Sequence, residues 1–216
     1  MKKLVIFDLD GTLLNTIADL AHSTNYALNK LGYPTHEIEK YNFMVGNGID
    51  KLFERALPEE EKSKENVLRV RKEFVPYYDI HNADDSRPYP GIPELLSYLQ
   101  DAGIQIAVAS NKYQAATQKL VDHYFPEIHF TAVFGQREGV KVKPDPIIVS
   151  DILEVAKVAK EEVLYVGDSG VDMQTAANAG VTACGVTWGF RPRTELEEFN
   201  PSYIADTAGE IKKLIL

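Results

Sequence analysis

The chain is expected to fold as an α/β protein, with a parallel sheet core carrying helices on both faces and an inserted all-helical domain. Three observations predict this. Short β-type runs alternate with helical patterns over most of the 216 residues, as βαβ units do. Those runs are apolar almost throughout, as strands covered on both faces must be. The alternation is interrupted once: from Leu14 to Asn82 only helical periodicity is found.

The first strand is "KLVIF" (3–7), followed directly by the insert. The insert reads as "IADLAHSTNYALNKLG", closed by Gly32, then "IEKYNFMV", "IDKLFERAL" and one long helix over "EEEKSKENVLRVRKEFVPYYDIH". Its flanks, "LNT" and "NADDSRPYPG", are polar and rich in Pro and Gly, as hinges tend to be. The expected division is therefore a core of residues 1–13 and 83–216 and a helical cap of 14–82. Within the core, helices are expected at 91–102, 113–124, 145–159, 171–179 and 208–215. They alternate with strands "IQIAVAS" (104–110), "TAVFG" (131–135), "VLYVG" (163–167), "VTACGVT" (181–187) and "SYIA" (202–205). The resulting core is Rossmann-like.

A hydrophobic content of 44% supports a sizeable core. The net charge of −9 argues against nucleic acid or an anionic membrane as partner, and leaves a phosphate ligand in need of a local cationic pocket or a metal ion. The single cysteine, Cys184, lies in the small-apolar run "VTACGV" and reads as a buried thiol; it allows no internal disulfide. Asp8 cuts the first apolar run too early for an export signal, and no run reaches membrane-spanning length. The expectation is a soluble cytoplasmic protein.

In open parallel sheets, ligands bind beyond the carboxyl ends of the strands. "VIFDLDGTLLNT" puts Asp8 and Asp10 there, where isolated carboxylates are costly unless they begin a solvated turn or serve chemistry. Ser110, Asn111 and Lys112 follow the second core strand, and Asp168 and Ser169 follow "VLYVG", with Asp172 one turn on. Clustered carboxylates repel unless protonated or bound to a cation. Asp8, Asp168 and a backbone carbonyl near Asp10 offer the hard oxygen ligands that suit Mg²⁺. A carboxylate beside Mg²⁺ can attack phosphorus and form an aspartyl-phosphate. Asp10 is then placed to protonate the leaving oxygen and later to activate water. Ser110, N–H groups near Asn111 and Gly11, and a lysine from "KVKPDP" would hold the phosphoryl oxygens. Lys141 and Lys143, two apart, cannot be separated by spacing.

"DLDGT" after a first apolar strand, "SN" after a later one, "KPDP" and "VGDSGVDMQTAANAG" resemble, in order and spacing, the four motifs of the haloacid dehalogenase superfamily of phosphatases. The resemblance spans nearly the whole chain. It implies Asp8 as nucleophile and Mg²⁺ ligand, Asp10 as acid/base and backbone ligand, Ser110 as phosphate contact, Lys143 as charge neutraliser and Asp168 as Mg²⁺ ligand. Asp172 then matches the second acid of the fourth motif, in the outer metal shell, and Lys141 is left solvated. The dehalogenases lack the second acid of the first motif, so Asp10 points to phosphoryl transfer. The insert resembles the superfamily's small helical cap, and "VGNGIDKLFERAL" (45–57) resembles the cap loop of phosphoglycolate phosphatases. Without that likeness, Gly46-Asn47-Gly48 is a helix stop, a turn and a helix start; with it, the turn faces the substrate's distal group.

The function implied is a Mg²⁺-dependent phosphatase for a small phosphorylated metabolite, with 2-phosphoglycolate the first candidate. An inorganic pyrophosphatase or a sugar-phosphate mutase would share the same site, and a phospho-aspartate receiver module would resemble it locally while lacking "DxDGT" and the insert. Arg191 and Arg193 in "TWGFRPRTE" read as solvated loop charges, Trp188 as packing, Thr12 as a capping residue. The five histidines show no metal-ligand spacing. Oligomeric state is not readable from these patterns.

Overall fold

A computed structural model describes residues 1–215. At its centre lies β1 (Leu4–Phe7), every residue of which is buried because it has parallel neighbours on both sides. One neighbour is β4 (Gln105–Tyr113), in register Leu4 to Gln105. The other is β6 (Val163–Gly167), in register Leu4 to Val163. Outside these stand β5 (Ala132–Gln136), β7 (Thr182–Val186) and β8 (Tyr203–Ala205), so the sheet runs β5-β4-β1-β6-β7-β8, parallel throughout.

Alternation along β1 sends successive side chains to opposite faces. Val5 and Phe7 pack with Ile92, Leu95, Leu96 and Leu99 of helix α4 (Ile92–Asp101), Leu120 of α5 (Gln114–Tyr124) and Ile211 of α9 (Ala208–Ile211). Leu4 and Ile6 pack with Ile152 of α6 (Ile147–Ala156), Met173 and Ala176 of α7 (Gly170–Ala179) and Leu196 of α8 (Arg193–Glu198). The strand order reverses direction between β1 and β6, and the crevice above their carboxyl ends is where such sheets bind ligands.

The insert forms helices α1 (Ile17–Lys30), α2 (Ile49–Ala56) and α3 (Lys64–His81), with a 3₁₀ segment at Ile38–Phe43. These surround an apolar cluster of their own, with Leu20, Tyr41, Phe53, Phe74 and Tyr78 at its centre; Ala116 of α5 joins it from the core side.

Four expectations need correction. The long helix over 59–81 starts only at Lys64, because Ser63 Oγ accepts the Asn66 N–H at 3.1 Å and caps a new helix. The helix expected at 208–215 ends at Ile211 and tightens to a 3₁₀ turn over Lys212–Leu214. Helix α8 has no counterpart among the expected elements. The two flanks of the insert are not separate polar linkers: β2 (Leu14–Asn15) and β3 (Arg87–Pro88) pair antiparallel, Leu14 with Pro88 and Asn15 with Arg87. Two-residue strands are too short to show any period.

Candidate active site

Asp8 continues β1 by one residue, its N–H donating to Val166 O at 2.9 Å. It faces a cleft that the sheet edge and the insert line together. Its Oδ1 accepts the Leu9 N–H at 2.7 Å and lies 3.0 Å from Lys143 Nζ. Burial raises the Asp8 carboxyl well above the ordinary carboxylate range against the pull of Lys143, and the acids Asp172, Asp168 and Asp10 push the same way.

Asp10 is held differently. Thr16 Oγ1 donates to its Oδ1 at 2.6 Å, and Lys112 Nζ lies 3.0 Å from its Oδ2. The turn just after the two acids depends on Gly11, which adopts φ +86°; a Cβ there would sit 2.3 Å from Asp168 Oδ2. The glycine thus lets the first loop approach the third acid.

Asp168, at the end of β6, accepts the Phe190 N–H at 2.7 Å and the Thr12 hydroxyl at 3.3 Å. Burial first, then Asp172, push its carboxyl up to about 7. Asp172 is fully buried. Its Oδ2 accepts the Ser169 hydroxyl at 2.6 Å, while its Oδ1 accepts from Lys143 Nζ at 2.8 Å and the Tyr165 hydroxyl at 3.2 Å. Asp8, Asp168 and Asp172 each bring a carboxylate oxygen within 4.8 Å of the others.

Lys143 is almost wholly buried and sits behind Asp8, also donating to Ala109 O at 2.8 Å. Burial opposes its charge, but Asp172 and Asp8 outweigh that and hold its ammonium above the ordinary lysine range. Asn111 fixes its backbone: Asn111 Oδ1 accepts the Lys143 N–H at 2.8 Å and Asn111 Nδ2 donates to Lys143 O at 3.1 Å. Lys141 is exposed beside Asp145. Ser110, Asn111 and Lys112 lie where the β4–β5 register shifts between Ala109 and Tyr113, an irregularity that turns them out of the ladder towards the cleft.

From the insert, Gly46 and Gly48 line the cleft, and Asn111 Nδ2 donates to Gly46 O at 3.0 Å. Asn47 does not line it, because its side-chain oxygen accepts from Arg55 at 2.8 Å. Two charged cleft residues carry no functional role in the sequence reading. Lys112 is buried between Asp10 and the ring of Tyr78, 4.8 Å from the ring centre. Arg191 is not a solvated loop charge. Its side chain is only 10% exposed, donates to Asn42 O and to Val45 O (2.9 Å), and lines the cleft. Its place between Phe190 and Pro192 in a loop at the active edge was the available signal. Arg193 is exposed, in pairs with Glu197 and Asp206. Trp188 packs and donates to Thr12 O at 3.1 Å. A second acid group, Asp19 with His22 and Asp85, lies at the base of the insert. Asp19 there spends its oxygens on the N–H groups of Asp85 and Ser86 and on the Ser86 hydroxyl.

The family model for haloacid dehalogenase-like hydrolases matches residues 5–186. The chain belongs to this family. Haloacid dehalogenase-like relatives span it end to end. The phosphoglycolate phosphatase of Vibrio parahaemolyticus is 32% identical over 218 residues, covering 99% of this chain and 96% of that protein. The phosphoglycolate phosphatase of Mesorhizobium japonicum is 32% identical over 205 residues, covering 94% and 90%. A crystal structure from Lactobacillus delbrueckii subsp. bulgaricus, described as a candidate phosphoglycolate phosphatase, superposes with a TM-score of 0.93 at 33% identity, covering 100% of this chain and 99% of that one. This haloacid dehalogenase-like hydrolase is an enzyme of the phosphoric monoester hydrolase class, which removes the receiver-module alternative. Among the described residues, no helix is long and apolar enough to cross a membrane.

Proposed function

We propose that the chain is a Mg²⁺-dependent phosphatase that hydrolyses a small phosphorylated metabolite, 2-phosphoglycolate being the first candidate. The observation that carries this is the different support of two neighbouring carboxylates facing one cleft. Asp8 is backed by Lys143, while Asp10 is held by Thr16 and Lys112. An Asp8 oxygen attacks phosphorus, the P–O bond to the ester oxygen breaks, and Asp10 gives its proton to the departing alkoxide. Water then attacks the aspartyl-phosphate, Asp10 takes its proton, and inorganic phosphate leaves with Asp8 restored. Ser110 and the N–H groups near Gly11 and Asn111 hold the phosphoryl oxygens, and Lys143 offsets their charge through the shared wall of Asp8.

The donor set fits a hard divalent cation. Buried carboxyls with raised proton affinity are acids short of positive charge, and all donors are oxygens. Asp8, Asp168 and the Asp10 carbonyl would hold Mg²⁺, with Asp172, already engaged by Lys143 and Ser169, in the outer shell. When bound, the ion supplies charge for the phosphoryl group.

The separate apolar cluster supports reading residues 14–82 as a cap domain on a core of 1–13 and 83–216. The cap places Gly46 and Gly48 near the substrate's distal group. The test is phosphate release with Mg²⁺ across a panel of 2-phosphoglycolate, other phosphorylated metabolites, pyrophosphate and p-nitrophenyl phosphate. The highest kcat/KM is expected for 2-phosphoglycolate; highest activity on pyrophosphate, or isomerisation of a sugar phosphate without release, would replace the reading.

A further inference from the structure

Two cations line the cleft, Lys112 and Arg191. Lys112 is committed to Asp10 at 3.0 Å, deep at the sheet edge. Arg191 stands on the loop after β7 and reaches across to the insert. Its Nη1 and Nη2 each donate to one carbonyl, of Asn42 and Val45, and its Nε is 3.5 Å from Glu195 Oε2. A guanidinium has five N–H donors in a fixed plane. Three are engaged in these contacts, which leaves two at a largely buried group that borders the cleft. Arg55 grips the same loop from the insert side, through Met44 O at 2.9 Å and Asn47 Oδ1. The two arginines repel each other enough that Arg191, after burial, lowers the proton affinity of Arg55. A second anion in the cleft would relieve that repulsion and take up the spare donors.

We propose that Arg191 is the specificity-determining residue of the cleft, pairing its unused N–H groups with a carboxylate on the distal end of the phosphate ester while its other donors hold the 42–45 segment over the substrate. The substrate class is thus a phosphorylated carboxylic acid small enough to reach from Asp8 to Arg191. A phosphate ester of the same size with a neutral end has nothing to offer this guanidinium. Substrates with a neutral distal group then gain only the phosphoryl contacts, and their discrimination is set at Arg191. This rests on the phosphatase reading above.

The test compares 2-phosphoglycolate with ethyl phosphate, which keeps the same two-carbon chain but lacks the carboxylate. In Arg191→Gln, kcat/KM for 2-phosphoglycolate should fall about 10- to 100-fold, the range for a lost charge-assisted pair, and mainly through KM. Ethyl phosphate, whose loss reports only the clamp on the 42–45 segment, should fall less than 2-phosphoglycolate, by a margin of at least about threefold on the same scale. Arg191→Lys, which keeps the charge and loses the fork, should recover part of the preference. Equal losses on both esters would reduce Arg191 to a clamp on the loop and overturn the proposal, as would no loss on either. Glu195→Gln removes the competing carboxylate yet keeps an acceptor for the Gly170 N–H that Glu195 Oε1 now receives at 2.9 Å. It should lower KM for 2-phosphoglycolate alone, and it tests the pairing even if Arg191→Gln does not fold; an unchanged KM there overturns the proposal. Calorimetric binding of both esters to Asp8→Asn, with and without Arg191→Gln, separates the two readings. If the wild type hydrolyses neither ester, the phosphatase assignment falls. Arg191 is then judged by binding: a carboxylate preference that needs Arg191 supports it, and its absence overturns it.

Discussion

On the sheet side of the cleft, Asp8, Asp168 and Lys143 are fixed by strands and buried contacts; on the insert side, the segment from Asn42 to Gly48 is fixed largely by residues that reach it from elsewhere. Asp8 and Asp168 end two strands paired in register along their length. The insert segment contributes carbonyls, and Arg191 and Asn111 of the core supply donors to three of them, while Arg55 of the insert holds Met44 O. The sheet side can therefore keep reacting groups to a few tenths of an ångström, as covalent chemistry requires. The insert side is tied to the core across the cleft by only a few hydrogen bonds, a form of attachment that could be released and re-formed. On the proposed reading, chemistry would belong to the first wall, and selection to the contacts Arg191 makes across to the second.

The largest expected effect strikes the sheet side. Asp8→Asn keeps shape and removes the nucleophile, so kcat should fall by about 10⁴-fold or more, on the scale of nucleophile deletions elsewhere. Circular dichroism should be unchanged. Near-normal turnover of any phosphate ester in this variant would break the assignment of covalent chemistry to Asp8.

A second expectation concerns charge at the same wall. In the metal-free protein Asp168 titrates at about 7 against an ordinary 3.8, so the folded chain holds a proton that the unfolded chain has lost between those values. Stability without metal should fall as pH rises across that window, by up to a few kcal/mol, and level off above it. Asp8 shifts in the same direction. Mg²⁺ should therefore raise the melting temperature more at pH 8 than at pH 5. Calorimetry with and without Mg²⁺ at both pH values checks this, and an equal shift at both would remove the acids from the metal site.

The smallest expected effect strikes the insert side. Gly48 adopts φ +86°, and a Cβ there would meet Gln136 Oε1 only at 3.5 Å, so the cost of Gly48→Val is backbone strain more than collision. A strain of about 1–2 kcal/mol should displace the turn and lower kcat/KM for 2-phosphoglycolate about tenfold. Acetyl phosphate, which reaches little of the insert, should change by less than about twofold on that scale. Equal losses on both substrates would mean that the turn serves folding or closure as such, and the two walls would not divide their labour as proposed.

The same contrast explains what the sequence revealed. Strands buried on both faces leave uninterrupted apolar runs, so "VLYVG" is visible as β6 to the residue, and the acids that break such runs stand out at their ends. The motif resemblance then orders them. Arg191 and Lys112 are different: what buries them arrives from the insert, the carbonyls of Asn42 and Val45 in one case and the ring of Tyr78 in the other. Nothing within a few residues of either position encodes that partner. The pairing of β2 with β3 escapes for the same reason, since Asn15 and Arg87 stand on either side of the whole helical insert in the sequence. Lys143 is separable from Lys141 only through its motif, although burial distinguishes them completely in three dimensions.

That short ladder has a mechanical consequence. A single strand linking two bodies can swivel about every φ and ψ along it, and two independent strands still allow torsion. Leu14–Asn15 and Arg87–Pro88 are bonded to each other, so the passages into and out of the helices form one doubled strap. A strap of that kind resists twisting and yields to flexure across its plane. Any movement of the helices relative to the sheet would thereby be steered towards a single tilt. Thr16, the first residue past the strap, rides on that tilt with its hydroxyl against Asp10. Under the proposed mechanism, the acid that would hold a proton at one moment and accept one at the next is tethered to the insert, so its alignment would follow any opening and shutting of the cleft.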